Sequence, residues 1–380
     1  MKIAYYCQHV LGIGHYYRSL ELCRACSTHH ETTMIVGGPP VDVSNVPFSF
    51  LQLPGLKMDD DFRGLIPCED GVSLEEIKEE RQKHLLSFMK MMSPDCLIIE
   101  LYPFGRKAFR FELDPLIEIG RNTSCHIVCS LRDILVEKKQ DQDMYEKRAV
   151  STLNQQFDAL LVHADSRIVG LDETFSLIEM VQVPVQYTGF VTPRPDPQAR
   201  STIRKKLGLG DEHKLIVASI GSGSVGSQLL ESVLTAAQQL DSHEACHFQI
   251  FAGPYCDESV YQRLRAGRSQ RVSVERFSNH FIDWLAAADL SISMAGYNTC
   301  MNTLAAGVPA LMLPFEQNRE QRLRIEKLTD SGSIHMLEPE DLAAEQLAQA
   351  ILYHSSMGRY TTRIDLNGAV NTLKFIETLQ

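Results

Sequence analysis

What the chain lacks narrows its function first. No apolar run approaches the ~20 residues that a membrane-spanning helix needs. The sequence opens on Lys2-Ile3-Ala4-Tyr5-Tyr6-Cys7, a buried-strand pattern and not the charged and then apolar regions of a signal peptide. A cytoplasmic protein is therefore expected. Positive charge is in short supply: 37 Lys and Arg face 48 Asp and Glu, a formal net charge of −11. Such a field repels polyphosphate, so no nucleic-acid partner is expected, although a local positive pocket for one diphosphate is allowed. No basic amphipathic stretch stands out, which leaves only peripheral contact with a membrane open. Of ten cysteines, Cys23 and Cys26 alone have C-x-x-C spacing, and no second such pair or His pair completes a zinc site. The cysteines lie mostly in apolar runs, where they act as small hydrophobes, and no metal is expected. Asp59-Asp60-Asp61 follows Pro54-Gly55 and reads as a solvated charge run.

What is present points to an α/β enzyme. The 380 residues, 44% hydrophobic and 22% charged, suffice for two globular domains. Short apolar runs alternate with segments of helical period, the signature of βαβ units and parallel sheets. Strands are expected at 3–7, 33–36, 48–53, 96–100, 126–130 and 159–162, then at 215–219, 247–251, 272–275, 290–293 and 310–313. Helices are expected at 14–28, 74–92, 113–122 and 143–157, then at 226–240, 258–267, 281–287, 297–306 and 320–331. Between the halves, Thr188-Gly189-Phe190-Val191-Thr192-Pro193-Arg194-Pro195-Asp196-Pro197 reads as a stiff linker, because its three prolines can continue neither helix nor central strand. The expected architecture is two Rossmann-like, doubly wound domains facing across a cleft: 1–190, 191–360, and a C-terminal helix within 361–380 packing back toward the first domain.

Two glycine turns stand out. The first strand runs into Gly12-Ile13-Gly14-His15-Tyr16-Tyr17-Arg18 and a helix start, a setting for close backbone approach to an anion. The third glycine of a dinucleotide fingerprint is missing, since Tyr17 stands there, and no acidic residue closes the next strand. His15 is the candidate general base, against a histidine that only caps the turn. Arg18 is a candidate anion contact, or a partner of Glu21. The second turn, Ile220-Gly221-Ser222-Gly223-Ser224-Val225-Gly226, follows the strand at 215–219 and offers N–H groups and hydroxyls to phosphate. It lacks the Gly-Lys-Ser/Thr ending of a P-loop. Downstream, Gly296, Asn298 and Thr299 form another helix start, and Glu320 and Gln321 supply planar polar groups suited to sugar hydroxyls. Arg106, Arg110 and Arg132 follow strands of the first half and could face an anionic acceptor, or pair with Glu112 and Asp133.

These residues resemble a known family. Ala295-Gly296-Tyr297-Asn298-Thr299, Ala306-Gly307-Val308-Pro309-Ala310, Pro314 and Arg319-Glu320-Gln321 resemble the donor domain of family 28 glycosyltransferases, which include the N-acetylglucosaminyltransferase of peptidoglycan synthesis. The turn ending in His15 and Arg18 resembles the family's first glycine loop, and Leu131-Arg132-Asp133-Ile134-Leu135 and Tyr102-Pro103-Phe104-Gly105-Arg106 look like a bacterial subgroup of predicted glycosyltransferases. The resemblance implies the GT-B fold and metal-independent, cofactor-free transfer of a sugar from a nucleoside-diphosphate sugar to an acceptor hydroxyl, with inversion. It places His15 as base, Gly14, Gly221, Ser222, Gly223, Ser224, Gly296, Asn298 and Thr299 around the donor, and Glu320 and Gln321 on its sugar. A UDP-sugar is favoured as donor and the acceptor is open. One departure stands out: where the family commonly has a glutamate that holds the donor ribose, this sequence has Asn302. Rival readings are a sugar-nucleotide epimerase or hydrolase of the same fold, and a non-catalytic sugar-nucleotide-binding protein.

Overall fold

The computed structural model describes all residues except 11–12, 42–44, 60–63, 138–139, 241–244, 316–318, 331 and 380. The chain divides into two compact units, Met1–Val191 with Asp365–Gln380, and Thr192–Ile364.

The first unit runs β1 (Lys2–Tyr6), α1 (Gly14–Cys26), β2 (Glu31–Val36), β3 (Ser49–Gln52), β4 (Leu56–Met58), β5 (Leu65–Pro67), α2 (Leu74–Met92), β6 (Cys96–Glu100), α3 (Arg110–Arg121), β7 (His126–Arg132), α4 (Gln142–Gln156), β8 (Ala159–His163) and β9 (Val185–Tyr187). Its seven-stranded sheet has the order β3-β2-β1-β6-β7-β8-β9, and every pairing in it is parallel. Strands buried on both faces must be apolar throughout, and Cys96-Leu97-Ile98-Ile99 is fully buried. The helix α2 starts at a capping box in which Ser73 and Glu76 satisfy each other's backbone N–H groups. Winding reverses between β1 and β6. A buried ion pair braces the carboxyl edge: Arg81 donates to both Glu112 oxygens at 2.6 and 2.9 Å, to the Gly37 and Pro54 carbonyls, and to Gln8. Cys23 and Cys26 are buried in α1 as free thiols, and burial pushes Cys26 up to about 12.

The second unit runs α5 (Ala199–Leu207), β10 (Lys214–Ser219), α6 (Ser227–Gln239), β11 (Cys246–Phe251), α7 (Glu258–Ala266), β12 (Val272–Glu275), α8 (Phe281–Ala287), β13 (Leu290–Met294), α9 (Tyr297–Ala306), β14 (Ala310–Leu313), α10 (Arg319–Thr329), β15 (Ile334–Met336) and α11 (Ala344–Ser355). Its parallel sheet has the order β12-β11-β10-β13-β14-β15, so winding reverses between β10 and β13. One face of the sheet packs Ile216, Ile250 and Ile292 against Leu230 and Val233 of α6, and the other packs Val217 and Phe251 against Leu285 and Ala287 of α8. The last helix, α12 (Gly368–Glu377), belongs to the first unit, where it packs on α1. Phe190 donates its N–H to the Asp365 carbonyl (2.8 Å) and accepts from Gly368 N–H (3.0 Å), which ties this helix to the chain after β9. Among the described residues, no helix is long and apolar enough to cross a membrane, and no group of three or more His, Cys, Asp or Glu could hold a metal ion.

Candidate functional site

Open parallel sheets bind ligands beyond the carboxyl ends of their strands, where the winding reverses. In the first unit that point lies between β1 and β6, and the residues there form one cluster. His15 is the second residue of α1, and Glu100 is the last of β6. Glu100 is fully buried, whereas the His15 side chain retains 24% exposure. His15 Nδ1 lies 2.6 Å from Glu100 Oε1, Arg18 Nη2 donates to the same oxygen at 2.7 Å, and Arg106 Nη2 donates to Oε2 at 2.9 Å. Arg18 Nη2 also lies 3.1 Å from His15 Nδ1. Residues 101–106 turn back to bring Arg106 there: Gly105 N–H bonds the Leu101 carbonyl at 2.8 Å, and Leu101 and Arg106 take φ of +68° and +60°.

The electrostatics follow from this packing. Burial alone would raise the Glu100 carboxyl, but His15, Arg106 and Arg18 outweigh it and hold the group ionised, well below the usual carboxylate range. Burial lowers the His15 imidazole to about 4; Glu100 opposes that shift, and Arg106 and Arg18 add to it. Two guanidinium charges against one carboxylate leave the cluster positive, which disfavours a further proton on the ring. A carboxylate accepts only, so Nδ1 carries the hydrogen and Nε2 keeps its lone pair. His15 is thus a neutral imidazole held in one tautomer by a buried acid, the arrangement of an oriented base. Behind it, the Tyr5 hydroxyl, Ser130 Oγ, the His163 ring and Thr188 Oγ1 form a buried chain with steps of 2.8, 2.8 and 2.9 Å.

Glu100 is the residue that the sequence reading missed. An acid ending a buried strand beside the glycine turn was the available signal, but it stood as the last letter of an apolar run. Arg106 pairs with Glu100, and Glu112, the acid weighed for it, pairs instead with Arg81. Arg110 pairs with Asp114 on the surface at 2.9 Å. Arg132 ends β7, next to β6, and is half-buried. Gly14 is exposed at the start of α1, while Gly12 lies outside the described residues. Of the Asp59-Asp60-Asp61 run, only Asp59 lies within them.

In the second unit the reversal lies between β10 and β13, and both carry glycine turns at their carboxyl ends. Ser219 and Ser293 are partners in register, so the two turns leave adjacent strands. After β10, Gly221, Gly223 and Gly226 take φ of +68°, +93° and +89°. A Cβ on Gly223 would lie 2.7 Å from both the Ala252 carbonyl and the Cys256 nitrogen, so this glycine lets the turn close onto the chain after β11. Tyr255 N–H bonds the Ser222 carbonyl at 2.8 Å and fastens the two loops together. Gly221 and Ser224 are exposed, Ser222 is half-buried, and a Cβ on Gly221 would meet nothing within 4 Å. After β13, Gly296 is the N-cap of α9 with φ −67°, which any residue adopts, and a Cβ there would also meet nothing within 4 Å.

Asn298 and Thr299 fall in the first turn of α9, half-buried. Asn302, one turn on, accepts a hydrogen bond on Oδ1 from the Thr192 hydroxyl at 2.8 Å. Glu320 is buried and pairs with Arg324 at 2.7 Å, and Gln321 Oε1 accepts from Phe315 N–H at 3.0 Å. Both members of the expected sugar-holding pair thus carry intramolecular bonds. Glu316, Gln317 and Asn318 of the preceding segment lie outside the described residues.

Residues 217–367 match the model of the glycosyltransferase family 28 C-terminal domain. The UDP-N-acetylglucosamine--N-acetylmuramyl-(pentapeptide) pyrophosphoryl-undecaprenol N-acetylglucosamine transferase of Histophilus somni (strain 129Pt) is 27% identical over 213 residues, 55% of this chain and 56% of that protein. The chain thus spans about half the length of the curated relatives it matches. Among solved structures, Acinetobacter baumannii MurG is similar at a TM-score of 0.53 and 14% identity, covering 98% of this chain and 95% of that one. A UDP-glucosyltransferase from Polygonum tinctorium reaches 0.61 at 11% identity, covering 100% and 98%. These likenesses give the fold: two parallel α/β units of the GT-B type.

Proposed function

We propose that the protein is a glycosyltransferase that moves a sugar from a nucleoside-diphosphate sugar, UDP-linked in the favoured case, to an acceptor hydroxyl without a metal. The observation that supports it best is the pair of glycine turns after β10 and β13, adjacent at the winding reversal of a family 28 domain. The diphosphate lies against the backbone N–H groups of residues 221–224 and the start of α9 at Gly296, Asn298 and Thr299. Fixed dipoles there stabilise the charge that develops on the leaving diphosphate. Glu320 and Gln321 lie beside the donor sugar. His15 takes the acceptor proton on Nε2 as the hydroxyl oxygen attacks the anomeric carbon and the bond to the diphosphate breaks. Glu100 holds the tautomer and stabilises the imidazolium that forms.

Gly14, Arg18, Arg106 and Arg132 line the acceptor side in this reading. Arg18 and Arg106 act chiefly through Glu100 rather than on an anionic acceptor. The names of the relatives describe a polyprenyl-linked acceptor. An acceptor of that kind, met at the cytoplasmic face of a membrane by peripheral contact, is the one to try first. The test is a calorimetric screen of UDP, GDP, TDP and ADP and their sugars, followed by incubation of the binder with and without acceptor. Transfer predicts binding of one nucleoside diphosphate and its release from the sugar only with acceptor present. Full-rate conversion of the donor alone identifies an epimerase or hydrolase, and tight binding with no conversion under any acceptor identifies a sensor.

A further inference from the structure

Four hydrogen-bonding side chains lie in line beside the carboxylate that ends β6. Tyr5, Ile98, Val128 and Leu161 pack together on one face of the first sheet, so Glu100, Ser130 and His163, each two residues further along its strand, share that face. The strand order β1-β6-β7-β8 makes the Tyr5 hydroxyl cross β6 to reach Ser130 Oγ on β7 at 2.8 Å. Ser130 is also the register partner of Glu100. Ser130 Oγ lies 2.8 Å from His163 Nε2, and His163 Nδ1 lies 2.9 Å from Thr188 Oγ1. The far end gives the line its direction. A carbonyl only accepts, and the Thr188 hydroxyl donates its one hydrogen to the Gly189 carbonyl at 3.1 Å. Thr188 therefore accepts from His163 Nδ1–H, which leaves Nε2 to accept from Ser130, and Ser130 to accept from Tyr5. The hydroxyls on the two strands that flank Glu100 thus turn their hydrogens away from it.

That direction bears on His15. Its Nδ1 faces two groups with opposite demands: Glu100 Oε1, at 2.6 Å, accepts a hydrogen, and Arg18 Nη2, at 3.1 Å, donates one. The stronger of the two sets the tautomer, and a carboxylate becomes a weaker acceptor with each further donor it takes on. Glu100 already accepts from Arg18 and Arg106. The other titratable groups beside it are neutral: burial raises Tyr5, Cys7 and Cys129 and lowers His163 to about 3. We propose that His163 is a positioning residue for the base: by accepting from Ser130 it holds the Ser130 and Tyr5 hydroxyls off Glu100, so that the carboxylate prevails over Arg18 at Nδ1 and Nε2 of His15 keeps its lone pair. This rests on the reading of His15 as the base and extends it to a second, fully buried histidine.

The experiment is NMR of the histidine ring nitrogens in the full chain at neutral pH, for wild type, His163→Leu, His163→Gln and Ser130→Ala. The nitrogen shifts report which ring atom carries the hydrogen, and His15→Ala identifies the His15 signals. In wild type both His15 and His163 carry it on Nδ1. Leucine removes the acceptor, so Ser130 turns its hydroxyl to Glu100. The His15 equilibrium should then shift about tenfold toward the Nε2–H form, the worth of one hydrogen bond to a charged group. Glutamine accepts from Ser130 through Oε1 and should keep His15 in the Nδ1–H form. In His163→Leu, kcat should fall with the lost Nδ1–H fraction while the UDP dissociation constant stays unchanged. An unmoved His15 tautomer in folded His163→Leu overturns the proposal. So does a wild-type His163 with its hydrogen on Nε2, or a glutamine variant that moves His15 as far as leucine does. Should His163→Leu fail to fold, Ser130→Ala carries the same comparison, because it frees the Tyr5 hydroxyl to turn to Glu100. The spectra need neither donor nor acceptor, so expected tautomers in a protein whose turnover ignores loss of His15 would fail the base reading alone.

Discussion

Replacing glycines by alanine separates those that build the turns from Gly296, which is proposed to admit a ligand. Gly296→Ala places a methyl group where nothing lies within 4 Å, on a backbone with φ −67° that alanine adopts freely. Alanine at an N-cap costs up to about 1 kcal/mol, and the loss of unfolded-chain entropy returns about 0.4–1 kcal/mol, so stability should hardly move. Gly223→Ala is the opposite case. Its φ of +93° and a Cβ at 2.7 Å from two backbone atoms leave the neighbours no way to swing aside. Left-handed strain and overpacking together cost about 2–5 kcal/mol. Binding should show another order. On the proposed phosphate reading a methyl added at the N-cap of α9 crowds the diphosphate, and loss of one charge-assisted hydrogen bond, about 1.5–3 kcal/mol, weakens UDP about ten- to a hundredfold. Thermal unfolding reads the first quantity and calorimetry the second. A Gly296→Ala variant that is as stable as wild type and binds UDP equally well would refute the assignment of this turn to phosphate.

Three further outcomes follow from the same geometry. His15→Ala should lower kcat by about 10²–10⁴ with the UDP dissociation constant unchanged, the range for loss of a general base, and equal turnover would remove His15 from that role. The rate should hold as pH falls below 6.5 and drop only near 4, where His15 takes its proton; Glu100→Gln, which removes the one charge favouring that proton, should lower kcat and move the drop to more acid pH, so an acid limb near 6.5 in the wild type would contradict this. Substituting Arg81 by methionine should destabilise the first unit by about 3–5 kcal/mol, because Glu112 is left buried without its counter-charge, with only the Tyr6 hydroxyl donating to it, and Arg81→Met with Glu112→Leu should recover most of that in denaturant titration; no recovery would mean that the pair does more than neutralise itself.

The histidines also fix the sign of the pH dependence of stability. Burial lowers His163 to about 3, with Arg18 adding to the shift and Glu100 opposing it, and His15 lies near 4. Both are below the unfolded value of about 6.5, so the unfolded chain binds more protons in between. The contribution is fully present above 6.5 and is lost as pH falls through the folded values.

Much of this was legible in the sequence because parallel strands buried on both faces write themselves as unbroken apolar runs. The strands at 96–100, 272–275 and 310–313 and the helices at 74–92, 281–287 and 297–306 keep their expected bounds. The elements not anticipated are those with weak patterns. β9 and β15 are three-residue edge strands, β4 and β5 form a three-residue hairpin, and α5 carries Arg-Lys-Lys among few apolar positions. Helix α11 is amphipathic but lies beyond the last expected strand, where no βαβ rhythm called for it. Around the proposed site, glycine turns announced themselves by composition, whereas Glu100 did not. Its role depends on a partner 85 residues away, a separation that only the folded register brings within hydrogen-bond distance.

The most direct test of the account is amide hydrogen exchange with and without saturating UDP. Protection should concentrate in residues 220–228 and 295–300, the two turns that leave adjacent strands of the second unit. Slowed exchange in both segments together is the predicted result. A protein that binds UDP with no change in either, or with protection confined to other parts of the chain, would contradict the claim that these turns hold the diphosphate.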